Sequence, residues 1–125
     1  MPVASIIIPS LGRPDSLRDC LESLWHQTNQ DFEIIKVTRE GPLAVLRNEG
    51  ASRARGKYLI FIDDDVICDP TWFNGILDVF GRSESIAGVS GPSIITRRFR
   101  RNRDLFSYTF FKWLYDLVFC YGRER

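Results

Sequence analysis

Val3-Ala-Ser-Ile-Ile-Ile8 is apolar on successive positions and rich in β-branched residues. Such two-sided apolarity predicts a strand buried on both faces, as in a parallel sheet, with Pro9 closing it. Leu11-Gly12-Arg13-Pro14 reads as a turn that places Pro14 at the first position of a helix. Leu17, Cys20, Leu21 and Leu24 then share one helical stripe, and Asp15, Arg18, Asp19 and Glu22 lie off it. Residues 32–37, Phe-Glu-Ile-Ile-Lys-Val, predict a second strand. Strand, helix and strand in this order form a βαβ unit, for which a right-handed crossover is expected.

Glu40-Gly41-Pro42 is the next turn, leading to a predicted helix over residues 43–54. Tyr58-Leu-Ile-Phe-Ile62 carries the strongest strand pattern, and it stops abruptly at Asp63-Asp64-Asp65. Asp69-Pro70 opens a helix bearing Trp72, Phe73, Ile76, Leu77 and Phe80. Residues 86–90 predict a fourth strand, ended by Gly91-Pro92. Alternating strands and helices imply an α/β sandwich around a mainly parallel sheet. The last thirty residues differ. Residues 97–103 hold five arginines in seven positions. Residues 105–121 then predict an amphipathic helix, with Phe106, Phe110, Trp113, Leu114, Leu117 and Val118 on one face and Thr109, Lys112 and Asp116 opposite.

Composition sharpens this division. A chain of 125 residues suits one ordinary domain, and 13% aromatic content argues against disorder. The net charge of +1 gives no global nucleic-acid signature. It conceals an asymmetry: residues 1–96 carry 9 basic and 13 acidic groups, residues 97–125 carry 8 and 3. The basic segment therefore has a partner of its own to be sought. Cys20, Cys68 and Cys120 are few and scattered, which fits reduced thiols of a cytoplasmic protein better than a disulfide framework or a zinc set. The N-terminal sequence lacks a signal-peptide pattern, and no apolar run reaches the ~18 residues of a spanning helix. A soluble protein, or one at the cytoplasmic face of a membrane, is expected.

Asp63-Asp64-Asp65 is the sharpest chemical signal. Three successive carboxylates repel one another unless a cation or hydrogen-bond network is present. They follow a buried strand, and in open α/β sheets ligands bind beyond the carboxyl ends of the strands. Hard oxygen ligands suit Mg²⁺ or Mn²⁺ bridging to substrate phosphates. Other chemistries lack their parts. There is no G-x-x-x-x-G-K-[ST] phosphate loop, and Pro9-Ser-Leu-Gly-Arg-Pro14 stands where a dinucleotide site needs G-x-G-x-x-G. The single histidine, His26, falls at a predicted helix end, where it reads as a partner of the helix dipole rather than a hydrolase base.

Ser5-Ile-Ile-Ile-Pro9, Ala44-x-x-Arg47-Asn48-x-Gly50, Gly56-Lys57-Tyr58, Ile62-Asp63-Asp64-Asp65 and Pro70 occur in the order and spacing of the family 2 glycosyltransferases, which this sequence resembles over residues 3–92. The resemblance implies a GT-A-like, Rossmann-like α/β/α fold that binds a nucleotide-diphosphate sugar, most commonly a UDP-sugar. It also implies inverting transfer to a hydroxyl acceptor, a glycan or a lipid-linked one. By the same resemblance, Asp65 ligates the divalent cation, with Asp63 or Asp64 completing the metal site or holding the ribose. Arg47 faces the pyrophosphate or base pocket with Asn48 beside it, and Pro9, Leu11 and Gly12 border the base.

Two departures from the family pattern stand out. Where an acidic pair usually ends the second strand and reads uracil, this sequence has Thr38-Arg39-Glu40, so Glu40 is the candidate to accept from the base. After Gly91 no carboxylate is assigned as acceptor base, Asp104 and Asp116 lying in or beside the basic, aromatic tail. The expectation is a donor-binding domain at residues 1–96, truncated after its metal-binding half, followed by the tail at 97–125. That tail reads either as the start of the acceptor half, its aromatic face forming core, or as an interfacial helix on anionic lipid. A non-catalytic nucleotide-sugar-binding module, or a remnant needing a second chain, is the alternative to the enzyme.

Overall fold

The computed structural model describes residues 1–91. The basic run 97–103, the predicted helix over 105–121, and Cys120 lie outside them. Within the described residues the elements run β1 (Ala4–Ser10), α1 (Pro14–Trp25), β2 (Phe32–Thr38), α2 (Leu43–Ser52), β3 (Tyr58–Phe61) and α3 (Trp72–Phe80). The sheet order is β2-β1-β3, all parallel, with Ala4 opposite both Phe32 and Tyr58. The most apolar strand thus takes the central place, and every residue of β1 is buried.

The period of two in β1 divides the core between two layers. Ala4, Ile6 and Ile8 pack with Cys20 and Leu24 of α1, Phe73 of α3, and Ile60 and Ile62. Ile7 faces the other way, onto Leu46 of α2 with Ile35 and Val37 of β2. Helices therefore cover both faces of the sheet, the α/β/α arrangement expected. Gly50 makes the second layer possible: a Cβ there would lie 2.3 Å from Cγ2 of Ile7. On the first layer the Phe73 ring meets Phe32 edge-on at 5.0 Å, and Phe80 stacks on Tyr58 at 4.4 Å.

Two expectations are corrected. Pro9 does not close β1; it lies within the strand, opposite Val37. The Ile7 carbonyl accepts from the Ile62 N–H on the β3 side. Pro9, two residues on, faces that same side, where β3 has already ended at Phe61, so its missing N–H breaks no ladder bond. Residues 86–90 form no strand. Their larger apolar side chains, Ile86 and Val89, are three apart rather than two and only half-buried, with Gly88 between them. No helix among the described residues is long and apolar enough to cross a membrane.

Candidate functional site

The carboxyl ends of β1 and β3 carry the charged groups. β3 keeps its side-chain alternation beyond its last ladder position, so Ile60, Ile62 and Asp64 continue one inward row. Asp64 is only 2% exposed, and both its oxygens are engaged. Its Oδ2 accepts the Ser10 hydroxyl at 2.6 Å and its Oδ1 accepts Arg13 Nη2 at 2.9 Å. Asp63 and Asp65, on either side, stay open at 54% and 36% side-chain exposure. Arg47 of α2 donates Nη2 to Asp63 Oδ1 at 3.0 Å, while its buried Nε has no hydrogen-bond partner among the described residues. Arg13 Nη1 lies 3.6 Å from Asp65 Oδ2, an ion pair rather than a hydrogen bond.

The segment that follows is clamped to α1. Ser23 Oγ donates to the Cys20 carbonyl and accepts from the Cys68 N–H. Gln27, 4% exposed, donates its amide to the carbonyls of Ser23 and Asp69 and accepts from the Phe73 N–H, supplying a partner at the start of α3. Asp69 accepts from the backbone N–H and hydroxyl of Thr71, which holds its carboxyl below the usual range. The neighbouring thiols are core groups. Burial, then Cys68 and the three carboxylates, push Cys20 up to about 12. Burial likewise pushes Cys68 up to about 11, so neither is a thiolate nucleophile near neutrality.

Among the described residues no three His, Cys, Asp or Glu side chains converge into a closed metal cage. Two solvent-open carboxylates suit a hard cation of the Mg²⁺ kind, which takes one or two carboxylates and completes its shell with water and phosphate. The orphaned Arg47 Nε, beside those carboxylates, is a donor suited to a phosphate oxygen.

A model of the glycosyl transferase family 2 domain matches residues 36–123. The chain belongs to glycosyl transferase family 2. It is 30% identical over 112 aligned positions to an uncharacterized glycosyltransferase of Haemophilus influenzae, covering 71% of this chain and 38% of that protein. It is 27% identical over 111 positions to the O-antigen biosynthesis protein RfbC of Myxococcus xanthus, covering 66% of this chain and 9% of the other. With the uncharacterized glycosyltransferase EpsJ of Bacillus subtilis it shares 30% over 91 positions, covering 52% and 26%. The matched part thus spans well under half the length of these relatives.

In this glycosyl transferase family 2 chain the residues singled out by sequence fall into two groups. Arg47, Asp63, Asp64 and Asp65 share one constellation. Pro9 is buried in β1, next to the Ser10 that holds Asp64, while Leu11 and Gly12 are exposed in the following loop, Gly12 with φ of 88°. Asn48 is exposed on α2, one residue from Arg47. Glu40 is exposed in the turn after β2, and Arg39 pins that turn by donating to the Glu40 carbonyl at 3.0 Å and to Glu49 at 2.8 Å. His26 caps the end of α1, its Nδ1–H donating to the Glu22 carbonyl. Sequence reasoning missed Arg13 and Gln27. An arginine after Gly12 in the loop that leaves β1 was a usable signal for the first; Gln27 follows its helix and carries no periodicity that would mark it.

Proposed function

We propose that residues 1–96 form the donor-binding domain of a glycosyltransferase that holds a nucleoside-diphosphate sugar together with Mg²⁺ or Mn²⁺. Transfer goes with inversion to a hydroxyl of a glycan or lipid-linked acceptor. The observation that carries this reading is the pairing of open carboxylates with an arginine whose Nε lacks an acceptor, at the carboxyl end of a parallel sheet. Membership of the family supports the chemistry, and a UDP-sugar is the first donor to test.

Each residue then has a task. Arg47 offers its Nε–H and remaining guanidinium donors to a diphosphate oxygen. Asp65 is the cation's principal carboxylate, with Asp63 completing that site or accepting from a ribose hydroxyl. Asp64 supports both from beneath, through Ser10 and Arg13. The loop bearing Leu11 and Gly12 borders the base, with Glu40 and Asn48 as further polar partners. When bound, the cation neutralises charge that develops on the departing nucleoside diphosphate. The acceptor hydroxyl attacks the anomeric carbon from the face opposite that leaving group. The family match continuing to residue 123 supports taking the basic, aromatic segment 97–125 as part of the transferase.

The test is thermal unfolding with UDP, GDP, ADP and dTDP, each with and without Mn²⁺. A ligand at 100 times its Kd adds about 2.7 kcal/mol, a rise of several degrees in a domain of this size. The expected result is a metal-dependent rise with one base, absent in Asp65→Ala. A chain that melts cooperatively yet responds to none of the four has no functional donor site, and the reading fails.

A further inference from the structure

The donor-binding reading uses Arg13 only as the partner of Asp64. Its guanidinium reaches Asp64 Oδ1 at 2.9 Å and Asp65 Oδ2 at 3.6 Å, so one positive charge serves a buried and an open carboxylate together. Its own side chain is 59% exposed. It follows Gly12, whose φ of 88° is open to glycine and around which no atom lies within 4 Å of a built Cβ. With this side chain more than half exposed, Nη1 can turn away from Asp65 while Nη2 keeps its bond to the buried Asp64. Around it, the Asp63–Asp65 run sets three carboxylates against two guanidiniums, Arg13 and Arg47.

We propose that Arg13 is a tethered counter-ion that couples cation and diphosphate binding, an inference that rests on the donor-site reading above. While it sits against Asp65 it occupies the field a divalent cation needs, and the like charges repel. A cation arriving alone must push the guanidinium off and leave it without an anion on that side. A diphosphate changes the balance by giving Arg13 new oxygens as it leaves Asp65. Cation and diphosphate thereby promote each other's binding, and by linkage the enhancement is the same in both directions. In this scheme Arg13 is a binding residue that exchanges Asp65 for the diphosphate.

The experiment measures Mn²⁺ affinity of the full chain from the paramagnetic resonance of free Mn²⁺, with and without the nucleoside diphosphates tested above. Arg13→Gln should bind Mn²⁺ alone at least 5-fold tighter than the unaltered chain, near the lower end of the roughly 5- to 150-fold range of coupled sites. The further gain on adding nucleoside diphosphate should shrink by a similar factor, and Arg13→Lys should restore part of it. A purely structural Arg13 predicts no tightening, so unchanged or weaker Mn²⁺ binding with undiminished coupling overturns the proposal. Should the single variant not fold, Arg13→Gln combined with Asp64→Asn, compared with Asp64→Asn alone, repeats the test without an unpaired buried carboxylate. If no nucleoside diphosphate raises Mn²⁺ affinity even in the unaltered chain, the donor-site reading fails. The coupling role of Arg13 falls with it, and the metal-alone comparison then shows only whether Arg13 opposes the cation.

Discussion

The two ends of the sheet solve the same problem, a carboxylate beside an arginine, in opposite ways. Where the strands begin, Ser5 is fully buried and donates to Glu33 Oε1 at 2.7 Å while accepting from the Gly56 N–H at 2.8 Å. Arg55 closes the cluster by donating Nε and Nη2 to Glu33 Oε2 at 2.9 and 2.7 Å. One carboxylate meets one guanidinium in a two-pronged pair, with its second oxygen held by a hydroxyl and by the Arg55 backbone N–H. Where the strands end, among the described residues, three carboxylates share two arginines, and one guanidinium nitrogen has no partner. The first arrangement is complete and ties β1, β2 and the turn before β3 together. The second leaves a donor over, the one that the proposed diphosphate would take up.

The largest expected effect lies at the beginning of the strands. A Cβ on Gly56 would stand 2.3 Å from the Ala4 carbonyl carbon and 2.5 Å from the Ser5 nitrogen, and backbone there cannot yield cheaply. Gly56→Ala should cost about 3 kcal/mol or more in urea unfolding, with any ligand response of the still-folded fraction retained. A loss below about 1 kcal/mol would show that this end is looser than its hydrogen bonds imply.

At the other end the expectation reverses. Arg47→Ala should leave urea stability within about 1 kcal/mol, because its Asp63 partner is largely solvated. It should weaken nucleoside diphosphates about tenfold or more, as loss of a charge-assisted hydrogen bond does, and the bare nucleoside far less. Equal weakening of both in calorimetric titrations would remove Arg47 from the phosphates and erase the contrast between the ends.

The smallest effect is a matter of pH. Glu33 is drawn from an ordinary 4.5 to about 2, chiefly by the Arg55 side chain, then by Ser5 and the Arg55 N–H. Folding favours its ionised form, so its contribution is complete above about pH 4.5 and is lost as the pH falls toward about 2. Glu33→Gln should flatten the melting temperature against pH within that window. An acid limb identical to that of the unaltered chain would assign it to other carboxylates.

Much of this was readable in the chain. Apolar patterning placed the strands and α1 and α3, because buried strands and amphipathic helices must repeat at two and at about 3.6, while α2, with only Leu46 and Gly50 buried, followed from the turn before it. Asp63-Asp64-Asp65 was visible as chemistry because charge directly after a buried strand needs a partner, whereas Arg47, inside α2, was marked only by the resemblance to the family. The structure adds which partner serves which carboxylate. Asp64 turns inward only because it continues the Ile60–Ile62 row, and its dependence on Ser10 joins positions 54 residues apart, a pairing that local pattern does not encode. Residues 86–90 misled because composition alone resembles a strand, whereas the spacing of Ile86 and Val89 does not.

Pro9 has a consequence for where β3 stops. β1 runs three residues beyond the last rung it shares with β3, which leaves a step at the carboxyl edge of the sheet. The ladder cannot grow along that step, because its next rung would need an N–H from Pro9 and finds a ring. β3 is thereby stopped where it is, and the chain beyond it is released to set Asp64 against Ser10.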